Sequence, residues 1–318
     1  MGNLQFNVVV VLFWCTTMGW LVVSKILPPL RVGEPPNYAS ILKETSDEAP
    51  VCWSIHLQNK PIGWAANKTV RRKDGITDMY SRVYLCELPW DELAPGWLGA
   101  VLKPVFNNLA ELDIEKKSRL VIDPLGRLVE FESRVRVADI IDAIKVQGQI
   151  EGSNLRLSVQ SGDLPYKLER DLPPNSLMSD ELSPHVRMPG LRTGQTWTVP
   201  LYSPFRSPSS PIEILQAVVE RDDSLTWGGR TLPCRIIVYR GDSGSGQAGS
   251  EIRGRVWVDR EGIVLRQEIA IFRSHLHFIR LPAADAEIVA EELGEDWSAS
   301  LSSRRAQQLL HRVHADAP

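Results

Sequence analysis

The stretch RLVEFESRVRV, residues 127–137, changes from polar to apolar at almost every step. On an extended backbone neighbouring side chains point to opposite faces, so Val129, Phe131, Val135 and Val137 share one face. Leu128, Glu130, Glu132, Arg134 and Arg136 take the other. A helix cannot use this period. A sheet with one buried and one wet face can, and that one-sidedness belongs to antiparallel sheets. IKVQGQI, NLRLSVQ, IEILQAVVE, RIIVYRG, EIRGRVWVD and GIVLRQEIAIFR are further strand segments. Earlier strands are read at residues 52–57, 62–72 and 76–86, with QNKPIG and RKDG as the turns between them. The expected fold is mainly β with minor α: a large curved antiparallel sheet or half-barrel over residues 51–281.

Helices are few. GWLGAVLKPVFNNL (96–109) repeats apolar residues at helical spacing, with Pro104 bending or ending it. AADAEIVAEEL and RRAQQLLHRVH place further helix in a C-terminal tail, 282–318. Residues 173–212 are rich in Pro and Ser and read as a long loop over one end of the sheet, with a short strand near 196–201. VIDPLGRLVEFESRV and WVDREGIVLRQEIAI echo each other as strand, Asp-x-x-Gly turn, strand, with Asp123 and Gly126 matching Asp259 and Gly262. The sheet domain is therefore expected to fall into two related halves, about 51–172 and 194–281.

The N-terminal segment NVVVVLFWCTTMGWLVVSKIL has no charged side chain before Lys25. About 20 apolar residues suffice to cross the hydrocarbon core of a bilayer. Residues 1–27 are therefore expected to form a single transmembrane helix, with Val8, Leu12, Trp14, Trp20 and Val23 among the anchoring side chains. A cleaved signal peptide needs a basic start and a small-residue cleavage site, and neither is present. A lipoprotein cysteine needs small residues before it, whereas Cys15 follows Phe13 and Trp14. N-myristoylation needs Ser or Thr where Phe6 stands. Residues 28–50, with four prolines in their first nine positions, are expected to be a semi-rigid stalk. Lys25 and Arg31 follow the span, and a strict positive-inside count puts the body in the cytoplasm. A β-rich body behind such an anchor favours the opposite, extracytoplasmic side.

Net charge is −3 over 318 residues, so no basic excess points to nucleic acid. The four cysteines, Cys15, Cys52, Cys86 and Cys234, show no metal spacing. Outside the apolar run the cysteines are expected as buried free thiols; a disulfide between Cys52 and Cys86 on neighbouring strands is the alternative.

Gly241-Asp242-Ser243-Gly244 spells a serine-protease nucleophile loop. Its base would be His56, which lacks the context such a histidine needs, and RIIVYR and EIRGRVWV flank the loop as adjacent strands. The glycines and serines of 241–250 therefore read as a hairpin tip. His275 and His277 share a face on a strand and are the weak metal candidates, with His185, His56 or Glu268 as a third ligand. The acidic pairs Glu291-Glu292, Glu295-Asp296 and Asp222-Asp223 read as solvated charge. Asn67-Lys68-Thr69 matches a glycosylation sequon. The basic end around Arg304, Arg305 and Arg312 reads as a frayed tail or a lipid-touching helix. No catalytic residue and no cofactor is expected.

The run of strands, the LRTGQTWTV turn-strand and the closing GRVWVDREGIVLRQEI resemble bacterial envelope domains of unknown function with large curved sheets. Those domains are similar in shape to the lipoprotein-carrier fold, a half-open barrel around an apolar cavity. LPPLRVGEPPNYASIL after a Trp-containing apolar segment looks like single-pass proteins of planctomycete-type bacteria. The resemblance implies no catalytic residues. The expectation is a non-enzymatic, membrane-anchored, periplasmic protein that binds an apolar ligand or an envelope partner on its concave face. Val129, Phe131, Val135, Leu155, Leu157, Leu265 and Ile269 are the expected lining. An assembly subunit of an inner-membrane complex is the first alternative, and a hydrolase using Ser243 or a His275/His277 metal the second.

Overall fold

Each alternating segment becomes a strand bonded to the strand before it, and the ladder never breaks. The computed structural model describes residues 2–22, 35–44, 49–89, 111–138, 140–161, 164–172, 177–203, 206–207, 209–241, 251–271, 274–294, 297 and 308. The first run is β1 (Val51–Leu57), β2 (Lys60–Arg71), β3 (Thr77–Pro89), β4 (Glu111–Ile122), β5 (Leu128–Val137), β6 (Ile140–Glu151), β7 (Asn154–Ser161) and β8 (Leu164–Asp171). The second is β9 (Ser179–Asp180), β10 (Thr196–Tyr202), β11 (Ile212–Trp227), β12 (Arg230–Gly241), β13 (Ile252–Asp259), β14 (Val264–Ile271) and β15 (Ser274–Arg280). The spatial order is β8 through β1, then β15 down to β9, in one 15-stranded sheet. The first and last long strands thus meet at its centre, Trp53 opposite Arg280 and His56 opposite His277. All pairs are antiparallel except β9 on β10.

The sheet curls until its ends approach. The Arg170 guanidinium of β8 donates to the Ile212 carbonyl of β11 at 3.1 Å. The rings of Phe131 on β5 and Tyr202 on β10 lie 6.1 Å apart. One side therefore becomes the inside of a barrel-like shell, and the main core fills it.

The echoed turns are alike in detail. Gly126 and Gly262 both hold positive φ, 77° and 78°. Each N–H bonds the carbonyl of its turn's aspartate, and each aspartate side chain accepts the N–H four residues on (Arg127 and Ile263), both at 2.8 Å. Each glycine is also a seat. A Cβ on Gly126 would lie 2.7 Å from the Ala39 Cα, and one on Gly262 would lie 2.8 Å from the Pro189 Cα.

Ala39 and Pro189 belong to two segments that enter the shell. Helix α2 (Tyr38–Glu44) lies within the stretch expected to be a stalk, yet Tyr38, Ile41 and Leu42 are buried in the main core. Residues 177–191, expected as a loop over the sheet's end, bury Leu177, Met178, Leu182, Met188 and Leu191 in the same core. The two touch where the Tyr38 hydroxyl donates to the Met178 carbonyl at 3.0 Å. On the outer side helix α3 (Ala283–Leu293) packs Val289 and Leu293 with Trp64, Tyr84 and Trp297 into a smaller core.

The expected membrane span needs correction: among the described residues no helix is long and apolar enough to cross a membrane. Helix α1 covers Gly2–Leu21, but Asn3, Gln5 and Asn7 stand in its first two turns. Its uninterrupted part from Val8 rises only about 21 Å at 1.5 Å per residue, against roughly 30 Å of hydrocarbon. Val8, Leu12, Trp14 and Trp20 lie exposed along it, and Val23 falls outside the described residues. The cysteines are as expected: Cys52 and Cys86 sit on β1 and β3 with β2 between them, and both are buried free thiols, as is Cys234.

Candidate ligand site on the concave face

Most inward positions of the alternation are apolar, but a run of polar ones crosses four strands. Asn67 on β2 stands opposite Ser81 on β3, Ser81 opposite Ser118 on β4, and Ser118 opposite Ser133 on β5. This places a transverse row of small polar side chains on the concave face. The Asn67 Oδ1, Ser81 Oγ and Ser133 Oγ atoms are buried without a hydrogen-bond partner. Buried polar atoms are normally satisfied, by protein or by water, and Asn67 and Ser81 line the small cavity described below.

Beside the row stands Lys116, whose inward position follows from its partners Val83 and Val135, both core residues. Its side chain is 1% exposed. Its ammonium pairs with Asp180 and donates to Ser183 Oγ at 2.9 Å. Burial pulls the Lys116 pKa down, while Asp180 and Glu181 pull it back up. Asp180 and Ser183 are held by a tight turn: the Ser183 N–H bonds the Asp180 carbonyl at 3.0 Å, and the Leu182 N–H bonds Asp180 Oδ1 at 3.2 Å. Thus residues 177–191 bring a carboxylate and a hydroxyl to a cation that the sheet presents.

Two more ionisable groups ride on this segment. Burial pushes the Glu181 carboxyl up to about 7, although Ser203 donates to it and Arg253 and Arg206 are near. Burial pushes His185 down to about 4; its Nε2 lies 2.9 Å from Ser179 Oγ. The Arg280 guanidinium donates to the Val186 carbonyl at 3.1 Å, and Arg235 donates to the Leu191 carbonyl at 2.8 Å. Between α2, residues 177–187 and strands β2–β4 a cavity of about 70 Å³ remains. That is room for a few waters and not for a lipid chain. The concave face is therefore lined as expected for an apolar site, with α2 and residues 177–191 lodged in it. A second cavity of about 250 Å³ lies beside α2, lined by Tyr38, Leu128, Ile150, Leu172 and Met178.

Of the lining expected from sequence, Phe131, Val135, Leu155, Leu157 and Ile269 belong to the main core. Val129 and Leu265 do not. A register shift between Val121 and Ile122 turns Leu128 inward in place of Val129, and another between Trp257 and Val258 leaves Leu265 buried outside the main cluster. His56 and His277 face each other across β1 and β15 on the outer side, with Glu268 beyond His277 on β14. His56 Nε2 lies 2.6 Å from Ser54 Oγ, and His277 Nδ1 lies 3.1 Å from the Arg266 guanidinium. Among the described residues no group of three or more His, Cys, Asp or Glu is placed to hold a metal ion. His275 is exposed on the same strand, and His185 is inside the shell and cannot join it. Asn67 of the sequon faces inward. Ser243, the segment 96–109 and most of the basic C-terminal end lie outside the described residues.

No protein-family model matches the chain, and no curated protein does. Solved structures do. A β-barrel-like protein of the domain of unknown function DUF1849 from Brucella abortus matches at a TM-score of 0.45 and 9% identity, over 73% of this chain and 94% of that one. A DUF1089 family protein from Pseudomonas aeruginosa matches at 0.34 and 16%, over 64% and 88%. The hypothetical lipoprotein YmcC from Escherichia coli matches at 0.25 and 11%, over 75% and 90%.

Proposed function

We propose that this chain is a non-enzymatic envelope protein that binds an apolar ligand against the concave face of its sheet. The observation that carries the reading is how that face is covered. Apart from the polar row and Lys116 the inner wall is apolar, and among the described residues its cover is the seven residues of α2 and the irregular segment 177–191. Cover by irregular segments is easier to displace than a second layer of regular structure. Helix α1 supports the envelope setting. Its described side chains from Phe6 onward are exposed on every side, and an apolar surface of that kind associates with lipid. We place the sheet domain on the extracytoplasmic side of the inner membrane.

The test is to express the full chain in a bacterium and recover it from the membrane fraction. Native mass spectrometry and solvent extraction should then release a bound apolar molecule. Protein that is empty, and that takes up no long-chain fluorescent probe afterwards, would sink the reading. The alternative, an assembly subunit, draws on the segments lodged in the interior: a shell that they keep occupied acts through its outer surface. Stoichiometric co-purification of another envelope protein with a ligand-free chain would favour it.

A further inference from the structure

The way residues 177–183 sit inside the shell has the layout of a bound amphiphile. Asp180 presents a carboxylate to the buried ammonium of Lys116. Ser183 adds a hydroxyl between Lys116 and Ser118, 2.9 Å from one and 3.3 Å from the other. Leu177, Met178 and Leu182 carry the apolar part into the main core. The fit is incomplete: the Oγ atoms of Ser81 and Ser133, on either side of Ser118 in the same row, are left without partners, as is Asn67 Oδ1. A buried lysine is costly to keep charged in an apolar wall and is matched best by an anion. The polar row next to it supplies neutral hydrogen bonds to the atoms attached to that anion.

We infer that Lys116 is the headgroup anchor for an anionic single-chain amphiphile, and that residues 177–183 are a built-in surrogate which the ligand displaces. The anion, a carboxylate or a phosphate, takes the place of the Asp180 side chain. Its linking atoms meet Ser81, Ser118 and Ser133, and its chain replaces Leu177, Met178 and Leu182. This rests on the ligand-binding reading above and names the class of ligand.

The test compares four probes of one chain length on the full protein by titration calorimetry: dodecanoate, dodecyl phosphate, dodecanol and dodecyltrimethylammonium. The two anions are expected to bind at least ~10-fold tighter than the alcohol, as one charge-assisted contact implies. Asp180→Asn weakens the surrogate and should tighten dodecanoate binding by a further ~10-fold. Because that variant leaves the lysine poorly matched, a second one guards the result. Lys116→Met with Asp180→Leu replaces the ion pair by apolar groups, a change buried pairs generally tolerate, and should bind anion and alcohol alike. Equal affinity for anion and alcohol in the wild type, or an anion preference that survives in the double variant, overturns the inference and leaves the ligand-binding reading standing. If no probe binds any of the three proteins, that reading falls as well.

Discussion

Glu181 and His185 sit four residues apart on the segment that fills the shell, and burial moves them in opposite directions. Glu181 is raised from 4.5 to about 7. The stability tied to its proton is whole below pH 4.5 and is lost as pH rises to about 7. His185 is lowered from 6.5 to about 4, so its contribution is whole above 6.5 and is lost as pH falls towards 4. Between 4.5 and 6.5 the two slopes oppose and nearly cancel. Asp180, Arg206 and Arg253 are the other charges acting on Glu181. In urea titrations across pH, Glu181→Gln should uncover the histidine slope, with stability falling on acidification by roughly 1 kcal/mol per pH unit. His185→Gln should uncover the opposite one. Flat profiles in both variants would mean that neither group is buried as described. Residues of this kind were poorly legible in the sequence. Lys116 stands at an inward position between Ile114 and Ser118, a readable anomaly, but its partners Asp180 and Ser183 lie in a stretch with no period to place them.

At the scale of elements the echoed hairpins were legible because Asp-x-x-Gly has one efficient turn geometry. What those turns hold was not, since a contact between Gly126 and Ala39 or between Gly262 and Pro189 leaves no periodic trace. The inner face of β5 was read one residue out at its start for a related reason. A bulge shifts register without changing composition, so Leu128 takes the core position that alternation assigned to Val129. The seats can be tested against an internal control. Gly152 has φ 65° and nothing within 4 Å of an added Cβ, so Gly152→Ala reports backbone strain alone, about 1 kcal/mol. Gly126→Ala and Gly262→Ala add a clash with the backbone of a filling segment and should cost about 2 kcal/mol more in equilibrium unfolding. Gly262→Ala should also make residues 177–191 accessible to limited proteolysis. A loss equal to that of Gly152→Ala would mean that these segments do not bear on the turns.

For the whole molecule the important fact is where the chain closes on itself. β1 and β15 pair at the middle of the sheet although more than 200 residues separate them. There the sheet is covered on both faces: Trp53 and Ile55 point into the main core, while Cys52 lies under α3 with Val289 and Leu293. Five consecutive residues are buried in β1 and again in β2, a pattern that the one-sided alternation of β5 does not show. β8 is the opposite case, an edge strand whose outer ladder is unpaired and whose Pro165, Lys167 and Glu169 discourage further pairing. Protection from solvent should therefore fall from the centre outward. Hydrogen exchange followed by mass spectrometry should find the slowest amides in β1, β2 and β15, exchanging only through global unfolding. Those of β8 should exchange orders of magnitude faster through local opening. Residues 177–191 should lie between these limits in the free protein and slow further when a bound amphiphile closes the shell over itself, or speed up when the amphiphile expels them. The second outcome is the one the surrogate role of Asp180 requires, because a segment pushed off Lys116 loses its hold at that end while Arg280 and Arg235 still tether the other. Faster exchange confined to residues 177–183, with 186–191 unchanged, would be its signature. Uniform slowing across the whole segment would place the ligand elsewhere on the molecule.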